Sequence, residues 1–322
     1  MKSRNRGIGL NQEMAAFPSA RLRADLLLLA ASLIWGSAFV AQRIAATEMS
    51  VYLFNGLRFV LAGLILLPLA RQGLSKLEPR ALGGILLAGG VLFCGATLQQ
   101  LGLKTTTAGN AGFITGLYVV LIPVILAVGW GHWPRRGVLA AVVLASIGLF
   151  LLSTGGRFVL APGDALEFGG AILWAFHVIL IGRLVKSVPV LPLVIGQNLV
   201  CGLMNLLVVG FQDGAAEWAV LPGMWFPIVY TGVFSIGVGY TFQALGQKEA
   251  PPSDAAVILS AEAVFAALFG WLLLDERLTL VQLAGCGLIL AGMLLAQLDL
   301  RPGDKTLNIR KPGGEETRET SM

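Results

Sequence analysis

The chain has 322 residues, of which 56% are hydrophobic and only 13% charged, with a formal net charge of +5 and a mean hydropathy of +0.79. Soluble domains carry about 25% charged residues, so this composition excludes a water-soluble globule and indicates an integral membrane protein. Apolar runs of about 20 residues recur, the length a helix needs to cross a ~30 Å hydrocarbon core, and the ~10-residue alternating strands of a membrane barrel do not.

In chain order, residues 1–23 form a basic polar tail. Helices are predicted at about 25–46, 51–70, 81–103, 107–129 and 136–154, and again at about 164–186, 189–210, 223–246, 252–274 and 279–298. The first run is too long for a signal-peptide core and is read as a retained span. Gly155, Gly156, Arg157, Pro162 and Gly163 mark a linker over 155–163 between a first repeat, 24–154, and a second, 164–298. The tail over 299–322 is too polar to pack and reads as disordered.

The two sets of helices echo each other. A shift of 139 sets Asp25 against Asp164, Trp35 against Trp174 and Gly63 against Gly202. A shift of 144 sets Leu101, Gly102, Lys104 and Ala111 against Leu245, Gly246, Lys248 and Ala255. The change of shift predicts a few residues inserted in the second half between its seventh and ninth helices. Five is an odd number, so the halves enter the membrane from opposite sides. The fold class expected is an all-α integral membrane protein with ten transmembrane helices in two inverted five-helix repeats. Of the 23 Lys and Arg residues, 18 fall at the ends or in loops on the amino-terminal side, against Arg43, Lys104, Arg157 and Arg277 on the other, with Arg58 inside a span. By the positive-inside rule both termini face the cytoplasm, and the plasma membrane, a bacterial inner membrane, is the expected location. The same distribution explains the basic balance as membrane orientation, so nucleic acid is not an expected partner.

Inverted repeats of membrane helices commonly house a substrate site near the midplane and work by alternating access. Charges there cost about 2.5 to 3.5 kcal/mol even on the lenient insertion scale, so those present carry information. Arg58 and Glu262 lie near the middles of the second and ninth helices, and the repeat equates them with Gln197 and Tyr118. Glu262 reads either as a proton-coupling or substrate-ammonium site or as a protonated acid making one interhelical hydrogen bond. Arg58 reads either as a substrate-carboxylate or structural partner or as a side chain snorkelling outward; whether the two pair is left open. The polar lining candidates are Ser37, Gln42, Asn55, Gln99, Gln100, Asn110, Thr115, His177, Gln197, Asn198, Tyr240 and Gln243. Trp35 and Trp174, related by the repeat and about ten residues into their helices, offer aromatic faces to an amphipathic or cationic solute, or bulky packing. Cys94, Cys201 and Cys286 have no metal-ligand spacing, and no metal site or cofactor is expected.

The segments LIWGSAFVAQRIA, TAGNAGFITGLYVVLIPV and DAAVILSAEAVFAALFGWLLLDERLTLVQLAGCGLILAGMLL resemble the two EamA domains of the drug/metabolite transporter superfamily, and the likeness runs from Asp25 to Gln297. It implies ten helices in two inverted repeats, a central cavity lined by helices one to four and six to nine, helices five and ten at the periphery, and export of small metabolites such as amino acids. The chain departs from the pattern at Ala263, where the family frequently has proline, so the resemblance leaves a proline kink in the ninth helix without support. The function expected is a secondary transporter, with protons as the coupling partner. No Walker loop, HExxH, GxSG setting or pair of intramembrane aspartates supports an enzyme or a nucleotide-driven pump. The alternative is a lipid flippase or a non-transporting membrane scaffold. Oligomeric state is not readable from the sequence.

Overall fold

The computed structural model describes residues 20–70, 77–106, 108–157, 159–211, 218–274 and 277–298. The two tails beyond them, the 71–76 and 212–217 segments, Asp275, Glu276 and the side chain of Asn110 lie outside the described residues. Among those described, all regular structure is helical. The order is α1 (Ala20–Glu48), α2 (Val51–Leu66, continued by a turn over Leu67–Ala70), α3 (Pro79–Gly102), α4 in two halves (Ala108–Gly116 and Tyr118–Trp130) and α5 (Arg136–Thr154). The second repeat follows with α6 (Asp164–Leu184), α7 (Val190–Phe211), α8 (Leu221–Tyr230, Thr231–Val238 and Gly239–Gly246 end to end), α9 in two halves (Pro252–Leu259 and Glu262–Leu274) and α10 (Leu280–Leu298). Nine of these are long and apolar enough to cross a membrane, and the apolar stretch Leu280–Ala296 in α10 is the shorter tenth. The protein is a ten-helix membrane bundle of two inverted repeats.

Local chemistry sets the ends. Proline opens α3 and the first half of α9, where its missing N–H removes no helical bond. Asp164 and Glu167 stand in the first turn of α6, against the positive end of its dipole. Gly131 closes α4 with φ 68°, and the N–H of His132 reaches back to Leu126 O at 3.0 Å, a Schellman cap that only a left-handed residue completes cheaply.

The pseudo-two-fold axis is legible in which helices touch. A carbon built onto Gly148 would stand 2.7 Å from Gly285 O, and one on Gly292 2.8 Å from Ala141 O, so α5 and α10 meet through repeat-equivalent positions. The repeat-equivalent Gly63 and Gly202 likewise bring α2 against α7, facing Leu199 and Val60. Helices α1 and α8 pack through Leu28 and Gly246, and their equivalents α6 and α3 through Glu167 and Gly102. Small residues let backbones approach where the hydrophobic effect between helices is weak.

The predicted insertion lies inside one helix. The span containing α8 runs over Trp218–Gly246 with 29 residues, against 24 in α3, and the difference of five is the change from shift 139 to shift 144. Part of the excess is absorbed by the π-helical Thr231–Val238 segment, since widening a turn accommodates extra residues without shifting either end.

Two expectations of the sequence are corrected. Helix α1 begins at Ala20, five residues before the expected start, and so includes Arg21 and Arg23; Arg21 is held there by a bond to Asp25 one turn on. The fourth, eighth and ninth helices are not continuous α-helices. The breaks in α4 and α9 fall at Leu117 and at Ser260–Ala261, positions related by the 144 shift, and neither contains a proline.

Candidate functional site

The two breaks lie side by side at mid-depth. At each the backbone tightens: Leu117 N bonds Ile114 O at 3.1 Å, while Ala261 N bonds Ile258 O at 3.1 Å and Ala263 N bonds Ser260 O at 3.2 Å, all three residues back instead of four. The second halves of α4 and α9 therefore begin at Tyr118 and Glu262, and these repeat-equivalent residues meet, with Tyr118 Oη donating to Glu262 Oε1 at 3.4 Å. Helix α1 packs directly on the break in α9, because a carbon on Gly36 would lie 2.7 Å from Glu262 O.

Around this contact is a cavity of about 680 Å³, counting the space open to solvent. It holds Glu262 and Tyr118 with Arg58, Gln42, Gln99, Thr115 and Gln243, enclosed by Trp35, Phe39, Phe59, Trp174, His177 and Tyr240. The aromatic rings form one connected wall: Trp35 to Tyr240 at 5.3 Å, Phe59 to Tyr240 at 6.3 Å, His177 to Tyr240 at 5.7 Å and Trp174 to His177 at 6.0 Å. Trp35 is fixed by its Nε1–H, which donates to Ser235 O at 2.8 Å. That carbonyl sits in the π-helical segment, so the widened turn of α8 meets the wall of the cavity.

Arg58 corrects the snorkelling reading. It is 4% exposed, and its Nη1 donates to Gln42 Oε1 at 2.8 Å while Nε and Nη2 donate to Asn55 Oδ1 at 3.1 and 2.8 Å. Phe54 and Phe59 lie under the guanidinium at 4.6 and 5.3 Å. Arg58 and Glu262 do not pair, since each has its own partners on its own side of the cavity. Three of the five arginine N–H groups go to the two amides.

The remaining candidates divide. Trp35, Trp174, Gln42, Gln99, Thr115, His177, Tyr240 and Gln243 line the cavity. Gln197 stands behind it, at 3.0 Å from His177 Nε2. Asn55 acts through Arg58, Ser37 bonds Tyr230 Oη at 2.5 Å, and Asn198 and Gln100 are buried away from the wall. Trp174 Nε1, His177 Nδ1 and Gln243 Oε1 are buried without a partner in the protein, which gives the wall spare hydrogen-bonding capacity.

Sequence reasoning missed several acids. Glu167 is fully buried and accepts from Thr115 Oγ1 at 3.1 Å, and Thr115 accepts from Gln99 Nε2 at 3.2 Å. The signal was available, because the 139 shift sets this acid against Leu28 in a buried register. Asp25 and Asp254 were missed as well. Arg21 donates to Asp25 at 2.8 Å and to Asp254 at 3.0 Å, and Arg135 donates to Asp254 at 2.8 Å. This cluster ties α1, α9 and the start of α5 together at the amino-terminal face, below the cavity floor.

Two inverted repeats with helices broken at matching positions beside a charged, aromatic cavity define a membrane transporter. The chain belongs to the EamA-like transporter family, whose family model matches residues 22–154 and 161–298. It is 33% identical over 289 residues to an uncharacterized transporter of Archaeoglobus fulgidus, covering 90% of each chain. It is 28% identical over 170 residues to the threonine/homoserine exporter RhtA of Escherichia coli, covering 51% of this chain and 56% of that one. A solved crystal structure matches with a TM-score of 0.71 at 22% identity, covering 85% of this chain and 96% of the other, and supports the fold.

Proposed function

We propose that this transporter exports a small zwitterionic metabolite, an amino acid or a close relative, across the plasma membrane by proton-coupled alternating access, with both termini in the cytoplasm. The observation that carries the reading is the cavity at the paired helix breaks. It sets a carboxyl group, Glu262, and a guanidinium, Arg58, in one aromatic-walled space. A solute bearing an ammonium and a carboxylate has a partner for each, and the aromatic faces of Trp35 and Tyr240 suit the cationic end. The likeness to a threonine/homoserine exporter over half the chain supports starting with those solutes. The excess of Lys and Arg on the amino-terminal side supports the orientation.

In this reading Glu262 takes up a proton when solute leaves and gives it up when solute binds, so only one occupant is carried at a time. Helices α4 and α9 hinge at Leu117 and at Ser260–Ala261, and the cluster on Asp254 closes the amino-terminal side. The test uses the purified protein in liposomes, with labelled threonine, homoserine and a panel of other amino acids. Saturable flux that follows an imposed pH gradient and collapses with a protonophore is expected. Glu262→Gln is expected to remove the dependence on the gradient. Lipid scrambling without solute flux, or gradient-driven flux unchanged in Glu262→Gln, overturns the reading.

A further inference from the structure

The seat between α3 and α6 differs from its twin in chemistry and not in shape. In the second repeat Gly246 of α8 faces Leu28 of α1, and a carbon built on that glycine would stand 2.6 Å from Leu28 Cγ. In the equivalent place Gly102 of α3 faces Glu167 of α6, and the same construction puts the carbon 2.6 Å from Glu167 Oε1. Leu28 and Glu167 are both fully buried. The fold thus makes this seat for a side chain of leucine size, and its twin is complete without an acid. Packing gives no reason for the carboxyl group of Glu167.

Apart from the positive end of the α6 dipole, the surroundings supply no charge to neutralise it. Oε2 accepts one hydrogen bond, from Thr115, and Oε1 is buried without a partner in the protein. From α3 the seat receives Gly102 and the amide of Gln99, and from α4 the hydroxyl of Thr115. On its own helix the nearest acid is Asp164, held by Thr106 Oγ1 at 2.5 Å and by Ala161 N at 2.8 Å. No basic side chain forms an ion pair with Glu167 among the described residues. A charge buried with one hydrogen bond and no counter-ion is strongly disfavoured. Gln99 and Thr115, which carry the bonding outward, both line the central cavity.

We propose that Glu167 is a second proton-carrying acid of the transport cycle, reached from the cavity through Gln99 and Thr115. This rests on the reading of the protein as a proton-coupled transporter. With α3 and α6 in contact Glu167 holds its proton. When the helices part, water enters, the O–H bond breaks and the proton passes to water, leaving a carboxylate and a hydronium ion. Closing the seat requires the reverse transfer, so the contact between the helices is tied to protonation.

The experiment compares Glu167→Gln, Glu167→Leu and Glu262→Gln in the full-length protein. Glu167→Leu copies the twin seat, so it is expected to fold with an unchanged or raised melting temperature. Infrared difference spectra of the reconstituted protein across a pH change need no solute. They are expected to show a carboxylic C=O band that disappears in Glu167→Gln and persists in Glu262→Gln. With labelled threonine as the probe, gradient-driven flux in Glu167→Leu is expected to fall by about a hundredfold or more, the scale of losing a proton-transfer group, with downhill exchange retained. Absence of a band specific to Glu167 overturns the proposal. So does gradient-driven threonine flux in Glu167→Leu equal to wild type while Glu262→Gln has lost it, a result that leaves the reading of the cavity intact.

Discussion

Helices α4 and α9 break at repeat-equivalent positions, tighten by the same three-residue bonds and start their second halves at residues that touch, yet one begins with Tyr118 and the other with Glu262. The contact between α3 and α6 repeats that between α8 and α1, yet one seat holds Glu167 and the other Leu28. In both pairs the backbone keeps the symmetry and the carboxyl group departs from it. An inverted repeat lets the two halves exchange conformations, because each can adopt the shape of the other. Net coupled movement also needs the two end states to differ in chemistry, and in the proposed mechanism acids placed in one copy only supply that difference. Both acids belong to the second repeat, Glu262 on the second copy of the broken helix and Glu167 on that repeat's first helix.

The largest expected effect breaks the symmetric part. Gly148→Leu forces a side chain against Gly285 O and Ile289 where α5 meets α10, overpacking worth about 3 kcal/mol, and the monodisperse folded fraction in detergent is expected to collapse. Next comes the asymmetric cation. Arg58→Leu leaves the amides of Gln42 and Asn55 buried without their donor, a cost of about 1 to 3 kcal/mol, measured as a lower melting temperature. Arg58→Gln, which copies the equivalent Gln197, is expected to recover part of that stability without recovering solute binding. If Arg58→Gln binds threonine as wild type does, the guanidinium is structural only.

Asp254→Asn is expected to act less on stability and more on access. Asp254 itself is 4% exposed, but its arginine partners are 20% and 37% exposed and stay solvated when the charge is removed, which holds the loss to about 1 kcal/mol, the upper end for exposed pairs. The variant should melt within a few degrees of wild type. A cysteine placed at Leu259, on the cavity wall just above the cluster, should then react faster with a membrane-impermeant thiol reagent added from the amino-terminal face. An unchanged labelling rate would show that the cluster does not close that side.

Much of the fold was legible because hydropathy and the repeat are statements about every residue at once. Five spans in each half, their opposite entry and the insertion between the seventh and ninth helices all follow from the two shifts, 139 and 144. The helix breaks were not legible, since no proline marks Leu117 or Ser260–Ala261 and the tightening is decided by packing, with Gly36 of α1 seated on the break of α9. The π-helical segment has the same origin, as part of the surplus in this span fitted between fixed ends. At the site, residue type and depth sufficed to choose Arg58, Glu262, Trp35 and Trp174, while their partners depended on side chains from helices far apart in sequence. Glu167 was hidden by position. Four residues into a predicted helix it reads as an end-of-span charge; its pairing with Leu28 under the 139 shift is the one sequence signal of burial, and the facing Gly102 shows that it is enclosed.

The smallest effect gives the sharpest test of the symmetric contact. Tyr118→Phe keeps the ring, which is buried against α5 and α9, and removes a donor whose bond to Glu262 is long at 3.4 Å. A neutral hydrogen bond of good geometry contributes about 1 kcal/mol, so the melting temperature should fall slightly, if at all. The informative quantity is the double-mutant cycle with Glu262→Gln. If Tyr118 acts on transport only through the carboxyl group, gradient-driven flux in Tyr118→Phe falls by a few fold, and the second substitution removes the difference, leaving an interaction energy of about 0.5 kcal/mol or more between the two. Additive losses would mean that Tyr118 serves the wall of the cavity independently, and that the meeting of equivalent residues on the pseudo-two-fold axis is a consequence of the repeat with no part in coupling.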